Sequence, residues 1–140
     1  MSVFATVLTL LLAGHGTGDA LRAKPAPLEN CRVVDGDTLR CGRERVRLVG
    51  IDAPEMPGHC QGNRRCVAGD PFASRRSLIQ AAAGRLVIER VGTDRYGRTL
   101  GLVRGARGDL SCWQLQNGRA RYRRDWDDGG ALARRCRAAR

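Results

Sequence analysis

Lysine is almost absent from this chain. Of 25 Lys and Arg residues among 140, Lys24 is the one lysine, so the formal net charge of +11 and the isoelectric point near 10.8 rest on arginine. A planar guanidinium favours two-point contact with phosphate, and such an excess points to a polyanionic partner. On charge alone, an arginine-rich solubilising surface stays open. No two cysteines have the C-x-x-C spacing, which weighs against zinc although His59, Cys60 and Cys66 lie close together. The chain has no internal repeat and no low-complexity tract, which excludes a repeat array. No apolar run is long enough to span a bilayer as a helix. The candidate, residues 3–13, falls well short of the roughly 20 residues required.

What is present fits one exported domain. A chain of 140 residues, 42% apolar, can bury one good core but not two. Six cysteines, Cys31, Cys41, Cys60, Cys66, Cys112 and Cys136, are an even number and read as a disulfide framework formed in an oxidising compartment. Residues 1–20 have the form of a secretory signal, with small residues leading to a cleavage point near Ala20. The segment before the apolar run carries no Lys or Arg, which leaves an uncleaved anchor open. Residues 21–29, with Pro and Ala and no periodicity, read as a linker without assigned structure, and residues 30–140 as the domain. The expected location is periplasmic or extracellular, and nothing in the sequence calls for more than a monomer.

The stretch R-V-R-L-V-G-I-D-A-P-E at residues 45–55 organises the rest. Alternation predicts a strand that buries Val46 and Leu48 and shows Arg45, Arg47 and Val49 on its other face. Past Gly50, Asp52 and Glu55 bracket Pro54, which fixes its own φ and pushes Ala53 out of helical space. Two carboxylates are thereby held near one arginine. Upstream, Asp35-Gly36-Asp37-Thr38 adds acids at a tight turn; downstream, Asp94-Arg95-Tyr96-Gly97-Arg98 adds a second arginine. Oxygen ligands for a hard cation, beside two guanidinium forks for phosphate, are what cleavage of a phosphodiester requires.

Around that stretch, residues 31–41 read as a hairpin turning at Gly36 with Cys31 opposite Cys41, followed by a turn at residues 42–44 that completes a three-stranded meander. Residues 56–69 read as an exposed loop closed by Cys60 and Cys66. Asp70 and Pro71 predict a helix over 71–83 with Phe72, Ile79 and Ala83 as its apolar stripe. Strands are expected over 86–91 and 99–103, bringing the count to five. A short helix capped by Asp109 or Ser111 should end at Gly118, with Phe72 and Trp113 in the core. A last helix over 131–139 carries Cys136, left by elimination to pair with Cys112.

Residues 30–126 resemble the staphylococcal nuclease-like, or thermonuclease, family. Three motifs carry the likeness in order: V-D-G-D-T at 34–38, R-L-V-G-I-D-A-P-E at 47–55 and D-R-Y-G-R at 94–98. The resemblance implies a five-stranded OB-fold barrel with packed helices, so the expected fold is mainly β (α+β) and stapled by disulfides. It implies that Asp37, Asp52 and the backbone carbonyl of Ala53 hold a calcium ion, and that Glu55 orients or activates the attacking water. Arg47 and Arg98 would grip the scissile phosphate, Arg98 stabilising charge in the transition state, with Asp35 close to the metal and Tyr96 to the nucleotide phosphate. Many relatives have threonine where this chain has Ala53. The tyrosine that stacks on the base in relatives falls nearest Arg124, between Tyr122 and Trp126, and Tyr122 is taken as substrate-binding. The terminal helix is shorter than in relatives, and a Cys112 to Cys136 bridge would replace its packing.

Singly, each motif has a blander reading: two turns, a solvated strand face, and an acid at a helix start. Their agreement on one site favours a secreted calcium-dependent endonuclease acting on DNA and RNA. A non-catalytic nucleic-acid-binding module of the same fold is the alternative. A cationic surface-binding protein is a third reading, and would need none of the acids.

Overall fold

The computed structural model describes residues 23–140, so the expected signal segment, residues 1–20, lies outside the described residues. Within the stretch expected to be unstructured, Ala26–Leu28 forms strand β1, paired antiparallel with Leu86–Thr93 (β6). Leu28 turns into the core while Pro27 faces outward, where its missing N–H is harmless at a sheet edge. Asn30, in a left-handed conformation at φ +53°, bends the chain from β1 into Cys31–Val33 (β2).

The meander follows. β2 pairs with Thr38–Cys41 (β3), Cys31 facing Cys41, and β3 pairs with Glu44–Leu48 (β4), Thr38 facing Arg47. β4 runs parallel to Thr99–Gly105 (β7), and β7 forms a hairpin with β6 that is bulged between Arg90 and Gly92. The order is β1-β6-β7-β4-β3-β2, with Gly108–Asp109 (β8) off β7. Its two edge strands are consecutive in the chain, joined by Glu29 and Asn30, so the sheet must curl to bring them near each other. Ile51–Asp52 (β5) pairs separately with Arg121–Tyr122 (β9). The described residues thus hold nine strand segments rather than five, because β1 and β2 are separate and β5, β8 and β9 are two-residue pieces.

Two α-helices cover the curled sheet. Asp70 caps Pro71–Ala81 (α1) by accepting from the Phe72 and Ala73 N–H groups at 2.8 and 3.1 Å. The buried face is Ser74, Ser77, Leu78 and Ala81, whereas Phe72 and Ile79 of the expected stripe are 48% and 44% exposed. Small serines are inside because α1 packs closely. The Ser74 hydroxyl donates to the Arg119 carbonyl at 2.7 Å, and the Ser77 hydroxyl accepts from the Trp113 indole at 3.0 Å. Trp113 therefore bridges α1 to Leu110–Gln116 (α2), half-buried, while Phe72 is not a core residue. Asp109 caps α2 through the Cys112 N–H. Among the described residues no helix is long and apolar enough to cross a membrane.

The expected terminal helix does not form. A 3-10 turn at Asp128–Gly130 leads into successive turns. Asp127 draws the Leu132 and Ala133 N–H groups at 2.8 and 2.9 Å, and Leu132 and Cys136 are buried. Bonds of three- and four-residue span alternate in place of a helical ladder. Disulfides join Cys31 to Cys41, Cys60 to Cys66 and Cys112 to Cys136.

Glu44 fastens this sheet at the start of β4. It takes Arg90 of β6 in a two-point pair at 2.8 and 2.7 Å and the Thr99 hydroxyl of β7 at 2.8 Å. The Arg90 bond holds its carboxyl below the ordinary value of 4.5, despite opposing desolvation. The folded state therefore prefers the ionised form, so the stabilisation is present above that ordinary value and is lost as pH falls through the folded one. Both side chains are partly exposed, so Glu44→Gln is expected to lower unfolding free energy by only about 1 kcal/mol at pH 7. Urea denaturation at pH 7 and at pH 3 should show the difference shrinking at the acid end.

Candidate active site

The site begins at the turn between β2 and β3. Asp35 Oδ1 accepts the Asp37 N–H at 3.1 Å and closes the turn. Gly36 at its apex lies against Ala53 and α1: a Cβ there would come within 2.7 Å of Ala53 Cβ and would also strike the Ser74 side chain. Gln114 of α2 donates to the Gly36 carbonyl at 2.7 Å, so both helices brace the turn.

Asp37 is 6% exposed and accepts from the Ala53 N–H at 2.7 Å, from the Thr38 hydroxyl at 3.1 Å, and in an ion pair from Arg47. Strand alternation puts Arg47 on the face away from Val46 and Leu48, yet it is only 7% exposed, with Trp126 lying over its guanidinium. Its guanidinium donates to the Ile51 carbonyl at 3.2 Å and lies 5.4 Å from the Trp126 ring centroid. Burial, with repulsion from Arg98, pulls its pKa down to about 10, and Asp52, Asp35 and Glu55 oppose the fall. Arg47 stays cationic at neutral pH.

Gly50, at φ +74°, turns the chain out of β4. Its N–H donates to the Trp126 carbonyl at 3.1 Å and its carbonyl accepts the Arg123 N–H at 2.8 Å. Asp52 follows at 1% exposure, with the guanidinium groups of Arg47, Arg64 and Arg123 at 3.5, 3.6 and 3.5 Å. None comes to a short charge-assisted distance, leaving a buried carboxylate loosely bonded. Glu55 is ion-paired to Arg64. From the turn between β6 and β7, Arg98 is oriented by Asp94, which accepts from its Nε at 2.7 Å and from the Tyr96 and Arg98 N–H groups. Tyr96 lies between Arg95 and Arg98, 4.8 and 5.5 Å from its ring centroid. Burial is the chief cause of a raised Asp35 pKa, opposed by Arg47 and Arg98.

One cavity of about 590 Å³ gathers Asp35, Asp37, Arg47, Glu55, Tyr96 and Arg98. Asp52 and Ala53 do not line it but are buried next to Asp37. Tyr122 is not brought there. Its hydroxyl donates to Asp127 at 2.9 Å and its ring packs on the core, while Trp126 lines the cavity instead. Two residues escaped the sequence reading. Trp126 had a faint signal, an aromatic among alternating bases; Arg64 had none, because its position depends on the path of an irregular loop. The lining carries six carboxylates, Asp35, Asp37, Glu55, Asp94, Asp125 and Asp128, against four guanidiniums, Arg47, Arg64, Arg95 and Arg98. It is short of positive charge by two in a chain that is strongly basic. Among the described residues no three His, Cys, Asp or Glu side chains are grouped to hold a metal.

A curled, helix-covered sheet with acids and arginines gathered at one cavity defines a small β-domain with a highly charged site. Residues 45–138 match the family described as Staphylococcal nuclease homologue, and the chain belongs to that family. Among relatives, the succinoglycan biosynthesis protein ExoI of Rhizobium meliloti (strain 1021) is 37% identical over 91% of this chain and 65% of its own length. Protein ParB of Escherichia coli is 40% identical over 54% of this chain and 40% of its own. The thermonuclease of Staphylococcus intermedius is 37% identical over 51% and 45%. The chain thus spans less than two thirds of each of these relatives.

Gly36 offers a test of how the site is braced. Gly36→Ala should cost about 1–3 kcal/mol in thermal or urea unfolding by forcing α1 away from the turn. Gly92→Ala, at a position outside the left-handed region where the nearest atom to the added Cβ is Leu100 Cδ1 at 3.9 Å, controls for changing a glycine as such.

Proposed function

We propose that the protein is an exported, calcium-dependent endonuclease that hydrolyses phosphodiester bonds of DNA and RNA. The observation that carries this reading is the convergence of Asp37, Arg47, Glu55 and Arg98 on one cavity, with the loosely bonded Asp52 beside it. Counting β1 and β2 as one strand bent at Asn30 and setting aside the two-residue pieces, the sheet reads as a five-stranded OB-type barrel. Residues 1–20 would be removed on export, and the domain would act as a monomer.

A calcium ion fits the residues present. Asp37, Asp52 and the Ala53 carbonyl form an all-oxygen set of the kind calcium takes, and two added charges match the deficit of the lining. When bound, the ion would neutralise phosphate charge and polarise the phosphorus for attack. Glu55 orients the attacking water and takes its proton, and the water enters in line with the leaving oxygen. Arg98, fixed by Asp94, donates to the equatorial oxygens as their charge builds, and Arg47 adds a second guanidinium at the cavity wall for the phosphate. Asp35 adds negative charge near the cation and Tyr96 contacts the nucleotide phosphate, while Trp126, its ring carrying Arg47 and Arg123, forms part of the cavity wall where Tyr122 is absent.

A non-catalytic binding module is the second reading, favoured by one observation: Arg64 occupies Glu55, the carboxylate that would have to meet water. Digestion of heat-denatured DNA and of RNA in calcium or in chelator separates the two. Cleavage should require calcium, and Glu55→Gln and Arg98→Lys should each lower kcat about a hundredfold to a thousandfold with melting temperature retained. Binding without cleavage under every divalent ion tried would favour the module instead.

A further inference from the structure

The exposed loop at residues 56–69 sends one side chain to the cavity that these steps leave without a role. Arg64 is ion-paired with Glu55 and stands 3.6 Å from Asp52 Oδ1. The Glu55 and Asp52 side chains are 20% and 2% exposed and that of Arg64 is 48% exposed, so a guanidinium reaches in from solvent onto one partly buried and one buried carboxylate. Arg64 is mounted by a disulfide. Cys60 and Cys66 close the loop, and both sulfurs lie against the Arg64 carbonyl oxygen, at 3.8 and 4.0 Å. Among the described residues one backbone hydrogen bond falls within the loop, His59 N–H to the Met56 carbonyl at 3.0 Å. The bridge therefore restrains the backbone that carries the side chain entering the site.

The three guanidiniums around Asp52 are not equally free to leave it. Arg47 is buried and also serves Asp37 and the Ile51 carbonyl. Arg123 is held at two points by Asp125, at 3.0 and 2.7 Å, and stacks on Trp126 at 4.0 Å. Arg64 alone of the three rides on an irregular, exposed loop.

We propose that Arg64 is a built-in cation of the site: it holds Asp52 and Glu55 while no divalent ion is bound and yields Asp52 when one binds, and the Cys60–Cys66 bridge sets it in place. The inference rests on the calcium reading above. Two cations on one carboxylate repel each other, so the affinity for a divalent ion includes the work of displacing Arg64.

Calorimetric titration of calcium into the oxidised chain without nucleic acid reads this competition directly. Arg64→Gln is expected to bind calcium about two- to fivefold more tightly than the parent, the scale of a half-exposed ion pair. Arg64→Lys, which keeps the charge, should stay near the parent. The double variant Cys60→Ser with Cys66→Ser should shift affinity in the same direction as Arg64→Gln, and adding Arg64→Gln to it should change little more, since loop and side chain act together. Melting temperatures of all variants distinguish a lost fold from a lost contact. Equal or weaker calcium binding by Arg64→Gln overturns the inference and leaves the nuclease reading standing. Parent-like binding by the folded double serine variant overturns the part assigned to the bridge. Absence of calcium binding by the parent and by every variant overturns the calcium reading and this inference together.

Discussion

The buried pairing of Asp37 with Arg47 is the contact on which the rest of the site depends. Moving a carboxylate and a guanidinium out of water is favourable only if each is bonded at most of its positions. Asp37 meets this with the Ala53 N–H, the Thr38 hydroxyl and Arg47; Arg47 meets it with Asp37, the Ile51 carbonyl and the face of Trp126. These bonds lock three things at once. They hold the register of β3 on β4, they place the turn carrying Asp52 to Glu55, and they draw the segment with Trp126 over the strand. A pair this enclosed is weak evidence for stability and better evidence for positioning, since apolar residues would fill the same volume more cheaply.

Much of the frame is legible before any coordinates, because it follows from short-range rules. Symmetric spacing about Gly36 puts Cys31 opposite Cys41, and Asp70 with Pro71 marks the start of α1. What stays hidden depends on long-range packing. Hydrophobicity points to Phe72 and Ile79 as the helix stripe, yet α1 buries Ser74 and Ser77 with Leu78 and Ala81, since small side chains let it approach the Gly36 turn. Strand β1 was invisible because three residues beside a proline carry little pattern, and its partner β6 lies about sixty residues away. In the site, the acids and arginines of the three motifs stand out by type and spacing, whereas Arg64 and Trp126 arrive through irregular backbone.

The same contrast explains the end of the chain. A base-rich stretch with alanines reads as a helix by propensity, but Asp127 takes its first N–H groups and Cys136 is tied to Cys112, so local turns satisfy the backbone first. The tie matters to the site because it holds Leu132 against Gly50, the hinge between Arg47 and Asp52. The three bridges thus stand at distinct points: the edge of the hairpin, the loop bearing Arg64, and the segment that closes over Gly50.

Charge is divided in a way that the net value conceals. The chain is basic enough to draw a polyanion from a distance, an attraction that salt would weaken. Its cavity nevertheless carries more carboxylates than guanidiniums, and phosphate entering it unaccompanied would meet repulsion. On the nuclease reading proposed above, an excess of arginine outside and a deficit inside would let the surface collect nucleic acid without holding it permanently in the cavity. On the same reading the deficit would be met by a compact divalent cation held among oxygens, whereas Arg64, entering from solvent, stands 3.6 Å from Asp52 without closing to a short charge-assisted distance.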